Sequence, residues 1–391
     1  MKHKKVFSVL LTGALLFSQT PVSHGADSAF PDLAGHWAES VMLQAYQNQL
    51  LLGENGRMNP DGTLTRAQLA AIVNRAFGAV DEAPMDTYTD VAPGKWYAGD
   101  MARALKMGTL AGSGSKMMPE DPVTREQAMT VLARALALED GTATDLGAFV
   151  DASQLSAWAL GPVSAMARAK YATGANGRLS PQATITRAET AALLAKIVST
   201  YAKTSLNGTT VTGNLMVNAP NVTIANSFLE GNLWLGDGAR GTQLMDVSVQ
   251  GDLLMRGGEA LTLSGSTAIT GTLRIPDLGH EVAVTSSSNL PVPELVAWPA
   301  VTLSGGYTDV TVYADAHILS GGIQKLNVNT EGLSIAVETG VMVRQVNVNK
   351  NNTAITGTGV INVILAPGVT GTTLNGVPLT SSLITNSTSM T

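Results

Sequence analysis

The chain has 391 residues, 45% of them apolar, which is ample for a core and allows two to four domains. Only 14% are charged and 40 are glycine, a balance that points away from an ordinary helical enzyme. There is no cysteine, so thiol nucleophiles, Cys-ligated metals and disulfides are all excluded.

Residues 1–25 read as a secretory signal. Lys2, Lys4 and Lys5 form a basic start, Val6 to Phe17 an apolar stretch, and Ser23-His24-Gly25 a small-residue cleavage site. The apolar run is too short to span a bilayer, and no other segment approaches one. Removing three lysines from 24 basic against 30 acidic residues takes the net charge from −6 to −9. That charge argues against nucleic acid and against anionic membrane surfaces as partners. His3 and His24 leave with the signal, and His36, His280 and His317 are scattered, which leaves little basis for histidine-metal or triad chemistry.

The next half is one unit written three times. Phe30-Pro31-Asp32, Tyr88-Thr89-Asp90 and Phe149-Val150-Asp151 open the units, and Trp37, Trp96 and Trp158 follow. A first helix is predicted over Trp37–Leu51, Trp96–Met107 and Trp158–Tyr171 from apolar spacing. A glycine-rich turn comes next (53–56, 112–115, 174–177), then a basic residue (Arg57, Lys116, Arg178) and a proline (Pro60, Pro119, Pro181). Gly112-Ser113-Gly114 has neither a preceding strand nor a following Gly-Lys-Ser/Thr, so it is not read as a phosphate loop.

Each unit then reaches Thr65-Arg66-Ala67-Gln68, Thr124-Arg125-Glu126-Gln127 or Thr186-Arg187-Ala188-Glu189. A Thr followed three residues later by Gln or Glu is a capping box, predicting second helices over Ala67–Val80, Glu126–Leu138 and Ala188–Tyr201. The box does not explain the arginine. At a helix start a cation faces the positive end of the dipole, a penalty of roughly 0.3–1 kcal/mol. Three in register call for an anion: a carboxylate of the chain such as Asp32, Asp90 or Asp151, or a ligand carboxylate or phosphate gripped by the guanidinium fork.

The aromatic-x-Asp start, the tryptophan, the glycine-rich turn and the Thr-Arg-Ala-Glu-like motif resemble S-layer homology domains, in three copies over about residues 29–202. The resemblance implies an all-α pseudo-threefold assembly, with one helix per unit in a central bundle and grooves between units. It also implies non-covalent binding of a secondary cell-wall polysaccharide, typically through a pyruvylated sugar. Carried over by position, Arg66, Arg125 and Arg187 would grip the ligand carboxylate. Asp32, Asp90 and Asp151 would accept from sugar hydroxyls or orient the arginines, and Trp37, Trp96 and Trp158 would offer an apolar face to the sugar ring. Core anchoring for the tryptophans, and N-capping or a loop hydrogen bond for the aspartates, are the competing roles. Gln68 and Gln127 depart from the usual Glu, and Arg57, Lys116 and Arg178 add charge at the turn.

Loops over 81–87 and 139–148 separate the units. After Tyr201 the composition turns to Val, Thr, Asn, Gly and Ile with two-residue alternation, as in Leu215-Met216-Val217 and Leu233-Trp234-Leu235. Val310-Thr311-Val312, Leu326-Asn327-Val328, Val346-Asn347-Val348 and Asn362-Val363-Ile364 recur at 16, 20 and 16 residues. Short strands at near-constant spacing predict an all-β, parallel β-solenoid, with Asn327, Asn329, Asn347 and Asn349 placed to form ladders. A β-sandwich is the competing fold. The segment also resembles the β-rich regions that follow S-layer homology triplets. Asp237, Asp246, Asp252, Asp277, Asp309 and Asp315 are dispersed as turn residues rather than paired for acid–base work or clustered for calcium.

The expected organisation is a signal peptide at 1–25, repeats at 29–80, 87–138 and 148–202, a solenoid at 205–380 and a polar, disordered tail at 381–391. The tail has no Leu-Pro-x-Thr-Gly sorting signal, consistent with attachment by the triplet alone. The expected function is anchoring of a secreted surface protein to the bacterial wall polysaccharide, with self-association in a surface layer as a further partner. No enzyme activity, cofactor, metal, nucleic acid or membrane span is expected. The competing functions are a wall-tethered polysaccharide-degrading enzyme and an adhesin, either with its site on the β region.

Overall fold

The structure is a computed structural model that describes residues 30–384; the signal and residues 385–391 of the tail lie outside the described residues. Six helices form the first half: α1 Glu39–Gln47, α2 Arg66–Phe77, α3 Ala98–Lys106, α4 Arg125–Ala135, α5 Ala157–Arg168 and α6 Arg187–Ile197. Each repeat contributes a pair, and the second helix of one packs on the first helix of the next: α2 on α3, α4 on α5, α6 on α1. The order closes into a ring. At its hub the Val123 amide donates to the Leu64 carbonyl (2.9 Å), Ile185 to Val123 (2.9 Å) and Leu64 to Ile185 (3.2 Å). These three side chains are fully buried, so the pseudo-threefold axis runs through an apolar plug.

The helices are shorter than predicted. α1 and α3 begin two residues after their tryptophans, and α2 stops at Gly78, which takes a left-handed φ of +68°. That glycine cannot be replaced cheaply, because a Cβ would lie 2.2 Å from the Asn218 carbonyl. α6 ends at Ile197, and Tyr201, placed from sequence in this helix, belongs to a strand at Thr200–Ala202, ahead of the expected start at 205. A β-branched, strand-favouring run, Ile197-Val198-Ser199-Thr200, overrides the helical period there.

From Thr200 onward the chain winds as a parallel solenoid, which rules out the sandwich. One interior column runs in register through Leu215, Leu233, Leu253, Leu273, Leu295, Val310, Leu326, Val346 and Val363, every member 0% exposed. A single rung could not bury its apolar face; stacking does it. The early rungs have a third short strand (210–211, 228–229, 248–249, 268–269), whereas Val301–Val312 and Ala316–Val328 run through the corner as long strands. Where these turn, Gly305 and Gly321 take φ of +110° and +84°, and a Cβ on Gly321 would sit 2.1 Å from the Gly305 carbonyl. The predicted asparagine ladders form: Asn347 donates to Asn327 (2.8 Å) and Asn349 to Asn329 (2.7 Å). At the far end Leu383–Ile384 pairs antiparallel with Val363 and Asn362, so the first part of the expected disordered tail covers the last rung's edge.

The outward column next to the interior one explains how the halves join. Tyr201, Met216, Trp234 and Leu254 stand in register, and the last three are buried within the helical core. Runs of three apolar residues, such as Leu233-Trp234-Leu235, are thus covered on both faces. Further along the same column the middle residue becomes Arg274, then Val296, Thr311, Asn327 and Asn347 as the helices are left behind. Polar side chains of the solenoid cap the ends of the central helices. Asn218 donates to Arg75 and Ala76 carbonyls on α2 (3.0 and 3.2 Å), Asn214 to Ile197 on α6 (2.7 Å), and Arg256 to Arg134 on α4 (3.3 Å). Each satisfies carbonyls that a helix end leaves open.

Candidate functional site

All three predicted capping boxes form. Thr65, Thr124 and Thr186 accept from the amides of Gln68, Gln127 and Glu189, whose side chains reach back to the threonine amides. This places Arg66, Arg125 and Arg187 at the first helical position, each aimed across the seam onto a loop of the following repeat. Arg66 Nε donates to the Met117 carbonyl (2.9 Å) and Nη2 to Ala111 (3.1 Å). Arg187 repeats the pattern with Met58 and Leu52 (both 2.7 Å). Arg125 Nε donates to Leu179 (2.7 Å), but its Nη1 turns to the Glu189 carboxylate.

The carboxylates expected beside the arginines serve elsewhere. Asp32 accepts from the amides of Met58 (3.1 Å) and Asn59 (2.6 Å), Asp90 from Met117 and Met118, and Asp151 from Leu179 and Ser180. The loop hydrogen bond is therefore their observed role, and none forms an ion pair with Arg66, Arg125 or Arg187 among the described residues. Burial pushes these carboxyls up, but the donated amides outweigh it and hold all three below the usual carboxylate range, helped by Arg57, Lys116 and Arg178 respectively. Each loop is consequently gripped from two sides. Met58, for example, gives its amide to Asp32 of its own repeat and its carbonyl to Arg187 of another.

Arg66 and Arg187 are half-buried and, among the described residues, form no ion pair. Burial lowers the pKa of both from the ordinary value, and a second arginine lowers it further: Arg134 near Arg66 and Arg75 near Arg187. Asp121 and Asp90 oppose this at Arg66, as Asp32 and Glu54 do at Arg187. Both side chains keep their charge at neutral pH. These two seams thus each hold a guanidinium that no carboxylate of the chain neutralises, an arrangement that favours an incoming carboxylate.

The second cation escaped the sequence reading. Arg75, Arg134 and Lys196 each stand nine residues after a seam arginine, an in-register signal as regular as the first. Arg75 reaches the Leu50 carbonyl (3.2 Å), and Lys196 the Thr173 hydroxyl in the equivalent loop of the third repeat. Trp37, Trp96 and Trp158 are 66%, 61% and 50% exposed, so core anchoring is not their role. They stand at the starts of α1, α3 and α5, with broad apolar faces in solvent.

A family model described as S-layer homology domain matches residues 29–70, 87–129 and 148–191. Among curated proteins the chain is similar to an amylopullulanase of Thermoanaerobacterium thermosulfurigenes, 30% identical over 47% of this chain and 10% of that protein. It is 29% identical to the surface-layer 125 kDa protein of Lysinibacillus sphaericus over 50% of this chain and 17% of the other. It is 26% identical to the S-layer protein EA1 of Bacillus anthracis over 72% of this chain and 31% of that one. These matches span less than a third of each relative's length. Family model, triplicate motifs and closed helical ring agree: residues 29–191 comprise three S-layer homology domains, the kind that anchor surface proteins to the bacterial cell wall.

Proposed function

We propose that this chain is a non-catalytic surface protein that its helical ring holds on a secondary wall polysaccharide, by gripping the carboxylate of a pyruvylated sugar. The observation that carries this reading is the state of Arg66 and Arg187: half-buried, charged, and bonded to carbonyls rather than to a carboxylate. A planar fork with free donor capacity suits a carboxylate, and an exposed tryptophan offers the apolar face that a sugar ring stacks against. Several seams on one polymer make later contacts intramolecular, which multiplies weak individual affinities by about 10²–10⁴.

The solenoid serves as a displayed spacer in this reading, with copies of the chain as a second partner in a surface layer. Its aspartates support a structural role. Asp246 accepts from the Ser266 amide and hydroxyl (both 2.8 Å), Asp252 from Thr272 (2.9 Å) and Asp315 from Ser334 (2.8 Å), each bracing the next rung. Asp237 holds Arg256 at the joint (3.0 Å), and Asp309 receives Asn327 (2.7 Å).

Replacing Arg66, Arg125 and Arg187 together by Ala is expected to release the folded protein from purified cell-wall sacculi, measured by pelleting, with an affinity loss of about 100-fold or more. Full retention of binding by that variant defeats the reading.

A further inference from the structure

The joint between ring and solenoid is not sealed all the way round. A cleft of about 290 Å³ opens where the C-terminal ends of α4 and α5 face three successive rungs. Leu136 and Leu138, just past α4, form one wall, and Arg168, the last residue of α5, stands beside them. Trp234, Leu254 and Arg274, consecutive members of one outward column, form the other. The cleft is remote from the seams. Arg125 opens α4, and the helix's eleven residues, about 16 Å, separate its two ends.

Two donors in this lining find no acceptor on the chain: the Trp234 indole Nε1 and the Arg274 Nε. Both are withdrawn from bulk water, where an unpaired donor carries the full cost of its lost hydration. Arg274 commits only Nη1, to the Glu139 carboxylate (2.8 Å), so its Nε–Nη2 edge is unused. Arg168 gives Nη2 to the Glu139 carbonyl (2.6 Å), and the two guanidiniums thus converge on one linker residue. On the acceptor side, Asp252 takes the Thr272 amide on Oδ1 (2.9 Å), leaving Oδ2 open. The wider cleft beside α2 and α3, about 840 Å³, is different. Its buried Arg256 spends Nε on Asp237, Nη1 on Arg134 and Nη2 on Met107.

The charges of the smaller cleft already balance: Arg168 and Arg274 against Glu139 and Asp252. An oxyanion would add a net negative charge and leave the Asp252 oxygen opposed. A hydroxyl both accepts and donates, so a pair of neighbouring hydroxyls can meet the guanidinium edge and the carboxylate together. Leucines on both walls suit the carbon face of such a molecule, and the volume is that of a small ligand cleft. We propose that this joint cleft binds one neutral polyol unit, a sugar ring or a glycerol-like group. The Arg274 Nε–Nη2 edge turns onto one hydroxyl, Asp252 Oδ2 accepts from its neighbour, and Trp234 forms the floor. The site is separate from the anchoring seams and does not depend on them.

The test uses the full chain with ¹⁵N-labelled tryptophan, whose five indole N–H resonances are resolved by NMR and that of Trp234 identified with W234F. Methyl glucoside, N-acetylglucosamine and glycerol are titrated as polyols, with sodium acetate and sulfate as the oxyanion arm. Saturable displacement of the Trp234 resonance by a sugar or by glycerol, with a millimolar dissociation constant, is expected. R274Q should weaken that binding by about tenfold or more, and D252N by about fivefold. D252N keeps an oxygen for the Thr272 amide, so it tests the open acceptor even if R274Q does not fold. Thermal melting of both variants checks the fold. No saturable displacement by any polyol, displacement by acetate or sulfate alone, or undiminished sugar binding in both variants overturns the proposal.

Discussion

The two halves solve the same problem, stability from repetition without a disulfide, in opposite ways. The helical half closes: three units bond head to tail, and the Arg187 side chain returns from the last repeat to the loop of the first. The β half stays open, each rung touching its neighbours through an aliphatic column and a few amide and carboxylate braces. Closure fixes the number of seams at three. Open stacking fixes direction instead, and tolerates variable rungs, from three short strands to a single long one.

The sharpest way to break this contrast is at the joint. Trp234 is 5% exposed and belongs to the helical core although its strand belongs to the solenoid. Trp234→Ala should cost about 3–5 kcal/mol and split one cooperative denaturation into two, followed by circular dichroism in the helical and β regions of the spectrum. A single unsplit transition would mean that the halves do not depend on this contact for their coupling.

Within the ring, Asp151→Ala leaves two loop amides without their acceptor and should cost about 1–3 kcal/mol in denaturant titration. Asp32→Ala, at a more solvated position, should cost less. Acid sharpens the same point. Asp32, Asp90 and Asp151 have folded pKa values below their unfolded ones, so their contribution is complete above the unfolded value of about 3.9 and is lost as pH falls through the folded values. The melting temperature of the helical region should therefore drop as the pH falls below about 4, and less steeply in the triple Asp→Asn variant. The smallest effect is expected in the solenoid ladder. Asn347→Ala removes its bonds to Asn327 and Gln345 and should cost about 0.5–1.5 kcal/mol, without changing sacculus binding.

Local rules carried the sequence reading a long way. The threonines and their third-residue partners specify helix starts, and those starts lie within one residue of the prediction at all three sites. The β period likewise announces stacked rungs. What the pattern could not contain is where an exposed cation lands after closure: Arg187 meets a carbonyl 129 residues away, a distance set by ring topology rather than by any local propensity. Asp32 was legible as recurrent, with a loop hydrogen bond among its competing roles, and the structure shows that role. The change of the middle strand residue from Met216, Trp234 and Leu254 to Thr311 and Asn327 was visible. It acquires meaning once a second layer is known to cover the early rungs.

The capping of helix ends by Asn214, Asn218 and Arg256 has a mechanical consequence. A pull on the distal rungs enters all three central helices together at their C-terminal ends, so the three repeats share the load. Eight steps of about 4.8 Å separate Leu215 from Val363, so the stacked column is roughly 40 Å long, a length set by rung count alone.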